Sequence, residues 1–314
     1  MQRLEDLGEL ALIERIERLS RRQGRKQVVL GIGDDAAVLR PRAGEDLVVT
    51  TDALFEGVHF RFDTQAATTI GRRALAVNLS DLAAMGARPL ACTLALAAPA
   101  SLPVTRFDDL LRGLLAMGRR FDCPLVGGNL TRARETSLTL SVMGAVERGQ
   151  ALSRSAARAG DAIFVTGTLG AAALALARSE RTGWRLRSVP TPRLAAGRAL
   201  RRLRQRGACI DLSDGLLCDL AQVLRASQLG AEIEEARLPR PRGFAAACAR
   251  LDLDPADLLA SGGEDYELLF TLRRSPGSLA ALSRRLGVHV SRIGRVTRQP
   301  EIRGLNAHQG WRHF

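Results

Sequence analysis

Two adjacent aspartates, Asp34 and Asp35, lie in a short glycine-containing segment that follows an apolar run. The segment 31–39 reads Gly-Ile-Gly-Asp-Asp-Ala-Ala-Val-Leu. Neighbouring carboxylates repel each other, and a fold that orders both usually supplies a cation. Hard divalent cations such as Mg2+ take oxygen ligands from carboxylates and phosphates. The segment therefore indicates a metal site, and the alternative is a solvated turn, since aspartate is a common turn residue.

The segment 31–36 also matches the dinucleotide-binding pattern G-x-G-x-x-A. That pattern binds a pyrophosphate because a long helix begins there with its N-terminus facing the anion. Here two negative charges stand where the anion would bind. Pro41 follows only five residues after Ala36, which leaves little room for a helix. These observations exclude a dinucleotide site without a metal at this position.

Further segments end an apolar run in a small or acidic turn. They are Val49-Thr50-Thr51-Asp52, Asn78-Leu79-Ser80-Asp81, Gly127-Gly128-Asn129-Leu130-Thr131-Arg132, Ile210-Asp211-Leu212-Ser213-Asp214-Gly215 and Ser261-Gly262-Gly263-Glu264-Asp265-Tyr266-Glu267. Singly, each has a simpler interpretation, because serine and aspartate cap helices and a glycine pair can mark a β-bulge. Together, the aspartates are expected at the ends of strands and helices, where a fold can bring them close. Such a cluster is costly without metal, whereas with Mg2+ it can bind a polyphosphate.

The charge of the chain comes almost entirely from arginine. Its 314 residues carry a net charge of +13, and Lys26 is the only lysine. Walker A loops and protein kinases each require a lysine in a specific motif, and Lys26 lies in neither. If the chain binds nucleotide phosphates, metals and arginines must neutralise them. Nucleic-acid binding is the alternative, but the arginines are spread along the whole sequence and only 4% of residues are aromatic.

Composition also indicates the broad class of the protein. With 46% hydrophobic residues, the chain can build a core of the size that two domains need. Its N-terminus does not resemble a signal peptide, and the apolar stretch 90–104 is interrupted by Pro99 and Pro103. We therefore expect a soluble, cytoplasmic protein. The cysteines show no zinc-binding spacing and are expected to be buried free thiols.

The spacing of apolar residues predicts an α+β fold, with mixed helices and strands in both halves and a boundary near 147–160. In the first half we expect helices at 4–22, at 68–77 with an interruption near 78–81 before a Gly86 C-cap, and at 107–121. Strands are expected there at 28–30, 47–51, 90–97 and 138–146. In the second half we expect helices at 169–177, 194–203 and 216–226, strands at 162–166, 208–212, 231–233 and 268–272, and a loop at 179–192.

Six segments of this chain resemble the motifs of thiamine-monophosphate kinases, a family related to aminoimidazole-ribonucleotide synthetase. The segments are 31–39, 50–60, 78–89, 127–132, 210–216 and 261–269, and the likeness extends to the closing 310–314. It implies an N-terminal α/β domain at 1–148 that binds ATP and metal and dimerises through a shared β-barrel. A C-terminal α/β domain would follow at 149–314. The implied reaction is the phosphorylation of thiamine monophosphate by ATP to thiamine diphosphate, the last step of thiamine diphosphate biosynthesis.

The resemblance also implies roles for individual residues. The positions that match Mg2+ ligands are Asp35, Thr50, Thr51, Asp52, Asp81, Asp211 and Asp214. The positions that match ATP contacts are Gly128, Asn129, Arg154 and Ser213. The positions that match contacts to thiamine monophosphate are His59, Glu264 and Trp311. The family usually has aspartate where Asn129 stands, which should weaken metal binding there, and often has tyrosine where Trp311 stands.

The implied mechanism is a direct, Mg2+-assisted, in-line phosphoryl transfer. The nucleophile is a phosphate oxygen whose second pKa is about 6, so it is largely deprotonated at neutral pH and no general base is expected. A homodimer is the expected assembly, without nucleic-acid or membrane partners. Other enzymes of the superfamily are the nearest alternatives. A selenophosphate synthetase needs a reactive cysteine near the N-terminus, and no cysteine precedes Cys92.

Overall fold

The computed structural model describes residues 2–20, 27–32, 36–273 and 277–305. The chain divides into two compact units. The first comprises Met1–Leu82, Arg88–Gly149 and Arg185–Val189, and the second comprises Ala83–Ala87, Gln150–Trp184 and Pro190–Phe314. Across the described ranges, every helix is too short or too polar to cross a membrane.

The first unit combines helices with a mixed sheet. Its helices are α1 (Glu9–Ser20), α2 (Ala67–Ala84) and α3 (Val104–Phe121). Its strands are β1 (Val28–Leu30), β2 (Val38–Leu39), β3 (Glu45–Phe55), β4 (Arg88–Ala98), β5 (Leu125–Arg132) and β6 (Ser137–Glu147). The sheet has the strand order β3-β6-β4-β5, with β4 and β5 parallel and β6 antiparallel to both of its neighbours. β1 pairs with β2 in an antiparallel ribbon.

Helices α2 and α3 touch through their backbones. A Cβ atom added at Gly71 would lie 1.9 Å from Leu110 O, and one added at Gly113 would lie 2.1 Å from Thr68 O. Only glycine permits this approach from both sides. Leu82 of α2 lies against Gly144 of β6, on the face of the strand that is buried. The helix pair therefore covers one face of the sheet and fixes the position of α2.

The second unit is built around another mixed sheet. Its helices are α4 (Ala171–Thr182), α5 (Leu194–Arg201), α6 (Leu216–Ser227), α7 (Phe244–Arg250), α8 (Pro255–Ser261) and α9 (Leu279–Leu286). Its strands are β7 (Ala162–Thr166), β8 (Arg206–Asp211), β9 (Gly230–Ile233), β10 (Leu268–Leu272), β11 (Val290–Thr297) and β12 (Ile302–Arg303). The strand order is β12-β9-β11-β7-β10-β8. Every residue of β7 and β10 is buried, as their continuous apolar sequences require of central strands.

Two predicted helices have different limits in the structure. The helix expected at 4–22 is a 3-10 turn at Leu4–Asp6 followed by α1, with Gly8 at φ +74° between them. The interruption expected at 78–81 is wrong, because α2 runs on to Ala84 and Asn78 Nδ2 donates to Ala74 O within the helix over 3.0 Å. Gly86, with φ +67°, ends this helix region as predicted.

The structure also differs from the predictions in the positions of two aspartates and in several elements of the second half. Asp52 lies inside β3 and Asp81 inside α2, so neither is at the end of its element as expected. The segment 179–192 is not wholly a loop, since α4 continues to Thr182. Helices α7, α8 and α9 and strands β11 and β12 were not predicted, because their apolar runs are short and interrupted by polar residues.

Candidate functional site

In the first unit, a threonine of β3 and an aspartate of α2 form a pair of oxygen groups. Thr50 Oγ1 donates to Asp81 Oδ2 over 2.5 Å. Successive side chains of a strand point to opposite faces, so Asp52 shares the face of Thr50 whereas Thr51 points away. Thr51 Oγ1 accordingly donates to Leu140 O of β6 over 2.9 Å. The structure thus brings the side chains of Thr50 and Asp81 together, places Asp52 on the same face of β3, and directs the Thr51 hydroxyl elsewhere.

The glycine pair of the same unit lies within a strand. Gly128 of β5 has φ +153°, and a Cβ atom there would lie 1.9 Å from Leu94 O of the parallel strand β4. The register between β4 and β5 shifts just before this point, as the bulge interpretation predicts. Asn129 follows with an exposed side chain whose Nδ2 donates to Thr131 Oγ1 over 2.8 Å. Residue 128 must therefore be glycine, because the backbones of β4 and β5 leave no room for a Cβ atom. The next residue, Asn129, lies at the surface of the strand.

His59 lies on the connection between β3 and α2. Its Nδ1 accepts a hydrogen bond from Phe55 N over 3.1 Å, and its carbonyl oxygen accepts one from the Arg73 guanidinium over 2.6 Å. Both contacts hold the connection in place, so the ring has a defined orientation with Nε2 left as its second polar atom.

In the second unit, two predicted motifs pair through their backbones beyond the ends of β8 and β10. Glu264 N donates to Ser213 O over 2.7 Å, and Tyr266 N donates to Leu212 O over 2.8 Å. The two segments lie so close that a Cβ atom added at Gly263 would be only 2.7 Å from Ser213 O. The turn 212–215 and the segment 262–267 therefore form one structural piece, although about fifty residues separate them along the chain.

Carboxylates converge on this turn. Asp211 ends β8 and is 4% exposed, Asp214 lies in the turn, and Asp219 of α6 is 1% exposed. Asp219 Oδ2 accepts from Asp214 N over 3.0 Å. Burial, together with the negative charges of Asp214 and Asp211, raises the pKa of Asp219 to about 8. Three acidic groups in one mostly buried place create a site that favours a cation.

An arginine is connected to the same turn through α6, and a serine lies in the turn itself. Arg154 Nη1 donates to Gln222 Oε1 over 2.6 Å, and Gln222 Nε2 donates to Asp219 Oδ1 over 3.3 Å. Ser213 Oγ lies 3.5 Å from Asp214 Oδ1. Hydroxyl and carboxylate groups therefore lie at the start of α6 and a positive charge lies beside its middle, a chemistry suited to binding a metal-loaded polyphosphate.

The segment that carries Glu264 is strained and firmly anchored. Glu264 and Tyr266 have φ values of +67° and +49°, which side-chain-bearing residues rarely adopt. Between them, Asp265 Oδ2 accepts from Gly170 N over 2.6 Å just before α4, and burial raises the pKa of this carboxyl to about 7. Glu267 pairs with the Arg193 guanidinium and accepts from Thr166 Oγ1 over 2.6 Å. Such strain persists only where neighbours impose it, and it marks functional segments.

The carboxylate and hydroxyl oxygens described above suit Mg2+ better than a metal whose ligands must all come from the protein. Within the ranges that the structure describes, there is no group of three or more His, Cys, Asp or Glu side chains arranged around one metal position. Mg2+ usually keeps several water ligands and is held by one or two carboxylates together with substrate phosphates. The buried, mutually repelling carboxylates at Asp211, Asp214 and Asp219 provide the reason for a cation at this place.

Comparison with known proteins decides the family. Residues 33–146 match the family model for the N-terminal domain of AIR synthase related proteins, and residues 158–305 match the model for their C-terminal domain. The thiamine-monophosphate kinase of Escherichia coli K12 is 42% identical over 95% of this chain and 92% of its own length. This chain belongs to the thiamine-monophosphate kinase family. The resemblance noted in the sequence is thereby confirmed.

Solved structures of this family have the same fold. The thiamine-monophosphate kinase of Stenotrophomonas maltophilia K279a superimposes with a TM-score of 0.82 and 40% identity, covering 96% of each chain. AaThiL complexed with AMPPCP and TMP superimposes with a TM-score of 0.74 and 27% identity, covering 100% of this chain and 99% of the other. The fold class is confirmed as two mixed α/β domains of the AIR synthase type.

Some residues expected to serve a thiamine-monophosphate kinase lie outside the described ranges. Asp34, Asp35 and Trp311 belong to this group. The sequence analysis assigned no role to Asp219, Gln222 or Asp265, although Asp265 lies within the acidic segment 261–267 that it singled out. One sequence feature could have pointed to Asp219. It lies in the first turn of the helix that begins just after Asp214, and acidic residues are stabilising at that end of a helix. Gln222 had no comparable signal, since a lone glutamine on a helix is usually a solvated surface residue.

Proposed function

We propose that this chain is an ATP-dependent thiamine-phosphate kinase, which transfers the terminal phosphoryl group of ATP to thiamine monophosphate and releases thiamine diphosphate. The observation that carries the proposal is the match, over essentially the whole of both chains, to AaThiL complexed with AMPPCP and TMP. Relatives named thiamine-monophosphate kinase at 42% identity support it. Asp211 and Asp214 of the second unit support it as well, since phosphoryl transfer commonly uses metal ions held by carboxylates.

We infer that Mg2+ is the cofactor. Thr50, Asp52 and Asp81 are proposed to hold it in the first unit, and Asp211 and Asp214 in the second, with Thr51 and Asp35 as further ligands from the family resemblance. Bound Mg2+ neutralises the phosphate oxygens and the charge that develops during transfer. The support is the density of oxygen groups at these positions, including Thr50 Oγ1 at 2.5 Å from Asp81 Oδ2.

The protein itself binds, orients and shields the reactants. We propose that Gly128, Asn129, Arg154 and Ser213 contact ATP, and that His59, Glu264 and Trp311 contact thiamine monophosphate. Since the attacking phosphate oxygen is already deprotonated at neutral pH, these residues need to bring two anions into line rather than to remove a proton. The backbone pairing of the Ser213 and Glu264 segments supports the assignment within the second unit, because it brings a residue proposed to contact ATP next to one proposed to contact thiamine monophosphate.

We also propose a homodimer in the cytoplasm. Residues 1–148 would form the ATP-binding, metal-binding and dimerisation domain through a shared β-barrel, and residues 149–314 the C-terminal α/β domain. Support comes from β3, which exposes 54% of Leu47 and 62% of Val49 on the face opposite to the one that carries Thr50. ATP, the proposed phosphate donor, is an intracellular substrate.

The deciding experiment is an assay for thiamine diphosphate made from thiamine monophosphate, ATP and Mg2+. We expect product formation that EDTA abolishes and added Mg2+ restores. The Asp214→Ala variant should lose at least about 100-fold of kcat/KM, because removing a group that stabilises transferring phosphate costs roughly 2.7 kcal/mol or more. The control Asp109→Ala, which changes a partly exposed aspartate of α3 that pairs with Arg112, should keep wild-type activity. Near-normal turnover of Asp214→Ala would contradict the metal assignment at this turn.

A further inference from the structure

The side chains of α6 connect the proposed ATP-binding arginine to the proposed metal-binding turn. Arg154 donates to Gln222, Gln222 donates to Asp219, and the backbone N–H of Asp214 donates to Asp219 from the other side. The distances along this line of hydrogen bonds are 2.6, 3.3 and 3.0 Å. A continuous connection thus runs from the Arg154 guanidinium to the backbone of the turn.

Helix α6 is the rigid element that carries both intermediate side chains. Asp219 and Gln222 are three residues apart and therefore lie on one face of the helix. Farther along the same helix, Ser227 Oγ donates to Arg154 O over 3.1 Å, so α6 holds the backbone of Arg154 as well as its guanidinium. The core contacts of Leu216, Leu220 and Val223 fix the helix against the sheet.

The groups at the two ends of this line, the Arg154 guanidinium and the backbone N–H of Asp214, determine which atoms donate and which accept. A guanidinium and a backbone N–H can only donate. Asp219 accepts at both oxygens, from Gln222 Nε2 at Oδ1 and from Asp214 N at Oδ2. Gln222 must therefore turn its Nε2 toward Asp219, and this leaves its Oε1 to accept from Arg154. An amide in place of the Asp219 carboxyl would force a donor to face a donor at one of the contacts.

We propose that Asp219 and Gln222 are positioning residues of the nucleotide site. Asp219 sets the direction of the hydrogen bonds, and Gln222, oriented by it, holds the Arg154 guanidinium ready for the phosphates of ATP. This rests on the proposed function, because it takes Arg154 as an ATP contact. Arg154 is otherwise an exposed arginine with many rotamers. Ordering it before ATP arrives reduces the entropy lost on binding.

The first test removes the connection without disturbing Asp219. Gln222→Met keeps the length and the partly buried stem of the side chain but has no amide. We expect about tenfold weaker binding of a non-hydrolysable ATP analogue in calorimetry, the effect of losing one hydrogen bond to a charged group. In the coupled assay, the KM for ATP should rise and the KM for thiamine monophosphate should not. Unchanged affinity for the analogue would overturn the proposal.

The second test exchanges the roles of the two residues. Asp219→Asn alone should weaken analogue binding about tenfold, because one donor then faces another. The double variant Asp219→Asn/Gln222→Glu restores a donor–acceptor match at every contact with the same atoms, and its affinity should return to within about threefold of wild type. Failure of the double variant to recover relative to Asp219→Asn would overturn the proposal.

Controls separate this inference from the proposed function and from misfolding. Gln228→Glu, just after α6, adds the same charge at an exposed position and should leave analogue binding within about twofold of wild type. Midpoints of thermal unfolding monitor folding, and Gln222→Met still decides the question if Asp219→Asn does not fold. If wild type binds the analogue but makes no thiamine diphosphate, the proposed function fails while the variants still test the connection.

Discussion

Asn129 carries a neutral amide at a position where the family usually has the charged carboxylate of an aspartate. Its Nδ2 donates to Thr131 Oγ1 over 2.8 Å, which turns the amide oxygen away from the threonine. Since the family usually has aspartate there, the chain gives up one negative charge beside its proposed nucleotide site. The threonine hydroxyl can rotate and donate to a carboxylate instead, so an aspartate fits the same place without moving the strand.

We expect Asn129→Asp to lower the Mg2+ concentration needed for half-maximal rate. The added charge should produce a five- to tenfold drop, equal to roughly 1–1.4 kcal/mol of binding free energy. A Mg2+ titration of the steady-state rate at saturating ATP measures it, with Gln299→Glu as a charge-matched control at an exposed position. An unchanged or higher Mg2+ requirement would show that Asn129 is not close to a metal.

Asp265 predicts how stability depends on pH. Burial raises the pKa of this carboxyl to about 7, whereas an unfolded chain has a pKa of about 3.9. The folded state therefore binds the proton more tightly, and its contribution to stability is present below about pH 4 and is lost as pH rises toward 7. The free energy of unfolding of wild type minus that of Asp265→Asn should fall across this window and then level off. Urea titrations at several pH values measure it, and a difference that rises with pH would contradict the burial argument.

At the scale of elements, glycines determine which surfaces meet. Gly71 and Gly113 bring α2 and α3 into backbone contact, and Gly128 does the same for β5 against β4. In each case a methyl group would overlap a carbonyl oxygen at about 2 Å, so the neighbouring element would have to move. The proposed site depends on these contacts, because Asp81 lies on α2 and Asn129 follows Gly128.

Gly113→Ala should destabilise the first unit. The added methyl group would lie 2.1 Å from Thr68 O, and overpacking of this kind costs roughly 1–3 kcal/mol, against a gain of about 1 kcal/mol in helix propensity. We therefore expect a net loss of up to about 2 kcal/mol in the free energy of unfolding, measured by urea unfolding. Arg119→Ala, at an exposed position of α3, should change the free energy of unfolding by less than about 0.5 kcal/mol. Equal stability of Gly113→Ala and wild type would contradict the close helix contact.

The elements that sequence patterns predicted well are those whose apolar spacing is regular. α3, β4, β6 and α6 were predicted to within a few residues because their buried positions repeat with helical or strand period. α2 was predicted to break at Asn78 because polar residues usually mark a loop, yet Asn78 is buried within the helix, where its Nδ2 donates to Ala74 O. The pairing of Ser213 with Glu264 could not be predicted, because a single sequence contains no information about contacts between distant segments.

For the whole molecule, the exposed apolar face of β3 argues for self-association. If that face forms the proposed dimer, Val49→Glu should place a charge in the interface and give a monomer in sedimentation velocity at micromolar concentration. Leu279→Glu, at a 43% exposed leucine of the second unit, should leave the dimer intact. A monomeric wild type, or a Val49→Glu variant that remains dimeric, would contradict the proposed assembly.

The pairing of the turn 212–215 with the segment 262–267 has a consequence for biosynthesis. A ribosome makes the chain from its N-terminus, so the Asp214 turn emerges before the residues that hold it in shape. The nascent chain therefore lacks this part of the proposed nucleotide site until the Glu264 segment has left the exit tunnel. Ligand-assisted folding of the second unit would begin only then, late in translation, and truncated products that end before residue 261 would form no competing half-site for ATP.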